Sequence, residues 1–154
     1  MSRKILFVCT GNICRSPMAE AYLKKLCEIN NNLDIVARSA GTFALPGARA
    51  TPNAILVMKQ LGIDLSTHRA SSLTSQLVDD SDRIIGMTKS HVQTVCRHSP
   101  EAAEKTFTML SLINSNDDVP DPYGGNLQEY RSCFELMRPP IDKLHRQISK
   151  QHTK

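Results

Sequence analysis

No stretch of this chain approaches the ~20 consecutive apolar residues that a membrane-crossing helix needs. The longest apolar runs are Ile5-Leu6-Phe7-Val8-Cys9 and Ala54 to Met58, which excludes a spanning segment of that kind. A secretory leader is not visible either, because Thr10-Gly11-Asn12 ends the apolar run after Lys4 before a leader core could form. A cytoplasmic protein is therefore the default expectation. Cysteine pairing is also lacking: the five cysteines are an odd number, with no C-x-x-C pair and no Cys/His cluster at zinc spacing. A disulfide framework and a structural metal site are both disfavoured. Charge of one sign is scarce, since 19 Lys and Arg against 15 Asp and Glu leave +4. That balance can draw in anionic substrates but lacks the concentrated basic face of a nucleic-acid binder. Repeats, low-complexity tracts and interdomain linkers do not occur. With 154 residues, 40% of them hydrophobic and 22% charged, the chain fits one globular domain over residues 1–154.

Within that domain, Lys4 to Cys9 reads as a fully buried strand, short, β-branched and aromatic, and stopped by a Gly-containing turn. Ser16-Pro17 reads as a helix start, an N-cap followed by Pro at the first helical position. Ala19, Tyr22, Leu23 and Leu26 then follow at helical spacing. Asp34 to Ala40 is a second strand candidate ended by Gly41, and Thr51-Pro52 opens a second helix with Ala54, Val57, Met58 and Leu61 as its stripe and Gly62 as its C-terminal cap. Arg83 to Met87 is a third strand, residues Ser90 to Arg97 a short helix, and Thr106 to Leu110 a weaker fourth strand. Tyr130, Phe134, Met137, Ile141, Leu144 and Ile148 alternate three- and four-residue steps, the stripe of a long amphipathic helix. Pro139-Pro140 in its middle predicts a kink or break near Arg138, and the polar tail beyond about residue 149 is expected to fray. Alternating strands and helices imply a four-stranded parallel sheet covered on both faces, a doubly wound, flavodoxin-like α/β domain.

In such a sheet ligands bind at the carboxyl ends of strands, the place held by Cys9-Thr10-Gly11-Asn12-Ile13-Cys14-Arg15-Ser16. Free N–H groups and the helix dipole there favour an anion. Arg15 adds a planar bidentate donor suited to phosphate oxygens. The same positive field favours thiolate over thiol at Cys9, which makes it a nucleophile. The bare spacing is weak evidence, since five Cys and ten Arg in 154 residues give roughly 0.3 chance matches to C-x5-R. Its context, a strand before it, Gly11 inside it and a helix start after it, is the stronger signal. Without that context Cys9 would be an ordinary buried strand-end thiol and Arg15 a solvated loop residue.

The run Val8-Cys9-Thr10-Gly11-Asn12-Ile13-Cys14-Arg15-Ser16-Pro17-Met18-Ala19-Glu20 resembles the active-site signature of the low-molecular-weight protein tyrosine phosphatases. Asp121-Pro122-Tyr123-Gly124-Gly125 resembles that family's second signature, in its place before the last helix. Arg38-Ser39-Ala40-Gly41-Thr42 and the His68 segment align between them, so the resemblance covers nearly the whole chain. It implies Cys9 as nucleophile, Arg15 as phosphate clamp and Asp121 as general acid. Thr10, Gly11, Asn12, Ile13 and Cys14 would complete the phosphate-binding loop. It further implies that Asn12, Ser16, Ser39 and His68 hold that loop, with the Ser16 hydroxyl donating to Cys9. On their own residues, Ser16 is simply an N-cap and His68 a surface histidine. Cys14 is implied as a reversible disulfide partner of Cys9, with inert packing as the alternative, while Cys27, Cys96 and Cys133 are expected in the core. Ile13, Phe43 and Tyr123 are candidates for the substrate wall, Phe43 serving equally well as core.

Met87-Thr88 stands where many relatives carry Met-Asp; with the Gly41 to Thr51 stretch and Gly124-Gly125 it looks more like a bacterial branch that includes protein arginine phosphatases. The thioredoxin-linked arsenate reductases share this fold and loop but need two further redox cysteines after the third strand, where this chain has only Cys96. The expected function is hydrolysis of phosphotyrosine in proteins through a phosphocysteine intermediate. The alternatives are an arginine phosphatase and, further off, an arsenate reductase or a non-catalytic anion-binding domain. The implied partner is a phosphorylated protein. Metal and other cofactors, nucleic acid and membrane are not expected, and the chain should act as a monomer or weak oligomer.

Overall fold

A computed structural model describes residues 3–152. Four parallel strands, β1 (Arg3–Cys9), β2 (Ile35–Gly41), β3 (Arg83–Gly86) and β4 (Thr106–Thr108), form a sheet in the order β2-β1-β3-β4. The helices are α1 (Arg15–Ile29), α2 (Pro52–Lys59), α3 (Ser75–Asp80), α4 (Lys89–His98) and α5 (Leu127–His152), with short 3-10 turns at Pro100–Lys105 and Leu110–Ile113. Alternation along β1 builds the two layers of core. Ile5, Phe7 and Cys9 face one cluster, packed with side chains of α1, α2 and α5. Leu6 and Val8 face another, packed with Val78 of α3, Val95 of α4 and Ala102. Both faces of the sheet are thus covered, as the alternation of elements implied.

Several sequence expectations need correction. Ser16 is not the N-cap of α1: the helix starts at Arg15 with Cys14 as its cap, and no side chain caps it. Pro17 sits at the third helical position, which it tolerates because the first four N–H groups of a helix lack intrahelical partners. Ser16 is thereby free to point elsewhere. The helix α5 does not break at Arg138 but runs through Pro139 and Pro140. Phe134 and Met137 before the pair, and Ile141, Leu144 and Ile148 after it, are all fully buried. Burial at about 1.5–3 kcal/mol per large side chain outweighs the ~3 kcal/mol of an interior proline. The same helix continues past Ile148 to His152, while the last two residues of the tail expected to fray lie outside the described residues. Cys27 and Cys133 are buried as expected, but Cys96 is only partly so. The short helix α3, which carries no long apolar stripe, is an element the sequence reading lacked.

Candidate active site

The β1–α1 loop meets the conditions for an anion site through its carbonyls. Those of Cys9, Thr10 and Ile13 accept from the backbone N–H groups of Thr42, Phe43 and Thr51, each at 2.9 Å, and that of Asn12 accepts from His68 Nε2 at 2.8 Å. Across each trans peptide plane the N–H points opposite to the carbonyl. With these carbonyls drawn outward to flanking segments, the N–H groups of Thr10, Gly11, Ile13 and Cys14 face the other way, a concave set of donors. Asn12 allows the turn with φ 56°, a left-handed value that asparagine adopts more readily than most residues. Gly41 allows the close approach of β2: a Cβ there would stand 2.4 Å from the Thr10 carbonyl oxygen.

Arg15 follows at once, 4% exposed. Its Nη1 donates to the Val119 carbonyl at 2.9 Å, its Nη2 lies 3.7 Å from Asp121 Oδ2, and its buried Nε has no partner among the described residues. The Nε–Nη2 edge is the one that grips two oxygens of a phosphate. A cavity of about 430 Å³ is lined by Cys9, Thr10, Gly11, Ile13, Cys14, Arg15, Phe43, Asp121 and Tyr123. Loop, clamp, carboxylate and all three expected wall residues therefore meet in one place. Phe43 is 86% exposed and Tyr123 67%, which rules out a core role for Phe43.

The hydrogen bonds around Asn12 have a determinate direction. Its Oδ1 must accept, since its partner at 2.8 Å is the backbone N–H of Ser71. Its Nδ2 therefore donates, to Ser16 Oγ at 2.8 Å and to Ser39 Oγ at 2.9 Å. Ser39 gives its own proton to Glu20, whose carboxylate also pairs with Lys24 at 2.6 Å. Ser16, accepting from Asn12, has its proton left for Cys9 Sγ, 2.9 Å away. The Cys9 sulfur thus accepts a hydroxyl hydrogen bond beside the concave donor set of the loop. Cys14 has different surroundings. Burial raises its thiol above the ordinary range, more than its contacts with Tyr130 Oη at 3.3 Å and Thr51 Oγ1 at 3.7 Å lower it.

Matched against protein families, residues 4–154 fit the low molecular weight phosphotyrosine protein phosphatase model. The chain belongs to that family. The phosphatase is 39% identical to the protein-arginine-phosphatase of Geobacillus stearothermophilus, over 94% of this chain and 95% of that one. It is 33% identical to the low molecular weight protein-tyrosine-phosphatase Wzb of Salmonella typhi, over 96% and 92%. Its fold superposes with TM-score 0.89 on the low molecular weight protein tyrosine phosphatase of T. tengcongensis, at 40% identity over 95% and 99% of the two chains. The YwlE arginine phosphatase of Geobacillus stearothermophilus gives the same TM-score, at 36% identity over 98% and 96%. Both kinds of relative share the architecture of this phosphatase.

Several residues of the site carry no signal in a single sequence. Ser71 fixes the direction of the Asn12 network, yet it reads as part of a loop. Glu20 closes the signature run, but no local pattern shows that it accepts from Ser39, 19 residues on. His91 is 5% exposed and held near neutral pH as the uncharged ring: burial, and then the nearby Arg15, bring its pKa down to about 4. Its Nδ1 accepts from the Thr88 N–H at 3.2 Å, so its Nε2 carries the proton and donates to Thr10 Oγ1 at 2.9 Å. Thr88 caps α4 with a reciprocal pair to His91. This T-x-x-H arrangement is the one trace that a search for capping boxes would have found.

Proposed function

We propose that this phosphatase hydrolyses phosphotyrosine in proteins, with Cys9 attacking phosphorus, Arg15 and the loop amides holding the equatorial oxygens, and Asp121 protonating the leaving phenolate. The observation that carries the reading is the convergence of a hydroxyl-stabilised Cys9 sulfur, the unused Nε edge of Arg15 and the half-exposed Asp121 carboxylate on one cavity. Thiolate attack breaks the P–O bond and forms a P–S bond, and the Asp121 proton goes to the departing oxygen. Ionised Asp121 then takes a proton from the water that cleaves the P–S bond, which restores the thiolate and releases phosphate. Arg15 and the N–H groups balance the charge of the transferring group. A cytoplasmic setting and action as a monomer or weak oligomer belong to the same reading.

The naming of the Geobacillus stearothermophilus and Bacillus subtilis relatives as protein-arginine-phosphatases, each 39% identical, favours a second reading, phosphoarginine. The cavity wall supports the first. Ile13, Phe43 and Tyr123 suit an aromatic ring, and Asp121 is the one carboxylate lining the cavity, already shared with Arg15. A guanidinium would leave buried N–H groups poorly paired, at ~1–3 kcal/mol each, or roughly 5- to 150-fold in relative rate. Turnover of phosphotyrosine and phosphoarginine peptides side by side tests this. Phosphotyrosine should give the higher kcat/KM, and Ile13→Thr should move the ratio toward phosphoarginine. A wild-type preference for phosphoarginine would overturn the tyrosine reading while leaving the roles of Cys9, Arg15 and Asp121 intact.

A further inference from the structure

Arg38 shows the same signature that marks Arg15: its Nε and Nη2 are buried with no hydrogen-bond partner among the described residues. These two nitrogens form the edge of the guanidinium that pairs with two oxygens of one anion. In Arg15 that edge serves the reaction; in Arg38 nothing in the mechanism uses it. An unpaired, desolvated cationic donor is costly, so the position calls for a ligand.

The surroundings supply room for one. β2 is an edge strand of the sheet, bridged at Gly41 to Ser72, and Arg38 and Ser39 are neighbours on it. Both line a cavity of about 390 Å³ between that edge, α1 and residues 64–71, which shares no lining residue with the Cys9 cavity. Lys24, Arg69 and His68 add donors, and Glu20 and Asp64 are its two carboxylates. Each of these groups except Arg38 already has a partner. Lys24 pairs with Glu20, Arg69 donates to the carbonyls of Ser66 and His68, and His68 donates to the Asn12 carbonyl. Asp64 accepts from the Ser66 N–H and hydroxyl. The unspent charge is that of Arg38.

We infer that this cavity is a second phosphate site, anchored by Arg38 and Lys24, through which the product orthophosphate feeds back on turnover. The size fits a small tetrahedral oxyanion with its water, and a fork screened from bulk solvent pairs with it in a low dielectric. The route to the nucleophile is short. Phosphate on Arg38 competes with Glu20 for Lys24, and Glu20 is the acceptor for Ser39, which with Ser16 takes the two protons of the Asn12 amide. Added negative charge at the end of that chain disfavours the Cys9 thiolate and lowers kcat.

The test is a titration of the ¹⁵N-labelled full chain with sodium phosphate against sodium chloride of matched ionic strength. Two sets of amide shifts with different midpoints are expected, one at Gly11, Ile13 and Cys14, the other at Arg38, Ser39 and Ser71. In Arg38→Gln the second midpoint should weaken about tenfold or more while the first stays put. Lys24→Gln, at an exposed helix position, should act in the same direction and stands in if Arg38→Gln does not fold. In aryl phosphate hydrolysis, phosphate should lower kcat as well as raise KM in the wild type, and only raise KM in the variants. A single midpoint shared by both sets, purely competitive inhibition of the wild type, or a second set indifferent to both substitutions would overturn the inference.

Discussion

The direction of the Asn12 network can be reversed without changing its shape. In Asn12→Asp the introduced carboxylate still accepts from the Ser71 N–H, but its second oxygen has no proton to give Ser16 or Ser39. To satisfy that oxygen, Ser16 must turn its own proton toward it and away from Cys9, 2.9 Å on the other side. A hydrogen bond to a charged group is worth about 1.5–3 kcal/mol, so losing it from the thiolate should lower kcat/KM by roughly 10- to 150-fold. The new negative charge, one hydroxyl away from the sulfur, adds to the loss. Alkylation of Cys9 by iodoacetamide, a neutral reagent, should slow in parallel near pH 7, because it reports the nucleophile without a phosphate to bind. Ser16→Ala removes the same donor outright and should cost a similar factor. In the double variant the two losses should not add, since both delete one interaction. Wild-type turnover and alkylation in Asn12→Asp would refute the assigned directions.

Cys9→Ser should keep the phosphate site folded and abolish turnover, as phosphate binding and a single-turnover assay would show together; appreciable hydrolysis would exclude the covalent route. Asp121→Asn should slow leaving-group departure by ~10²–10⁴-fold, least for aryl phosphates with good leaving groups, read as a steeper dependence of kcat on leaving-group acidity. His91 is buried neutral, with its pKa lowered from 6.5 to about 4. The unfolded chain therefore binds a proton at His91 that the folded chain refuses. Stability present above about pH 6.5 is lost as the pH falls toward 4, by up to ~3 kcal/mol. Denaturant unfolding of the wild type should show that decline, and His91→Gln should lose most of it; equal pH slopes would contradict the burial argument. Pro139→Ala, at an exposed position inside α5, should restore an N–H to the helix and raise stability by ~1–3 kcal/mol, a rise of several degrees in Tm.

Much of this molecule was legible from residue pattern because the informative elements are long or chemically crowded. The run from Lys4 to Cys9 can only be a buried strand, and six apolar residues between Tyr130 and Ile148 define α5 so firmly that two prolines do not interrupt it. That Cys9 and Arg15 would share an anion-binding turn was readable because thiol, guanidinium and turn lie within eight residues between a strand and a helix. Asp121, far away in the chain, was picked out only by the family resemblance, and the structure lines one cavity with all three. What stayed hidden depends on contacts between residues far apart in the chain. Ser16 could be placed at the start of α1, but its exchange of the capping role for Cys9 depends on the Asn12 side chain, which Ser71, 59 residues on, holds in place. His91 reaches Thr10 across 81 residues, a separation no local pattern encodes. Helix α3 was missed because six residues are too few to show a period.

The order in which the core is completed has a consequence for synthesis. Helix α5 comes last in the chain, yet it supplies Tyr130 to the flank of the catalytic loop and Phe134, Met137, Ile141, Leu144 and Ile148 to the cluster beneath β1 and α1. Residues 9–15 and Asp121 therefore leave the ribosome before the layer that packs beneath the loop is complete. Until it is, the nascent β1–α1 unit leaves Ile5, Phe7, Met18 and Leu23 unshielded. Hydrolytic activity should accordingly be absent from chains stalled before Leu127 and appear only once α5 has emerged.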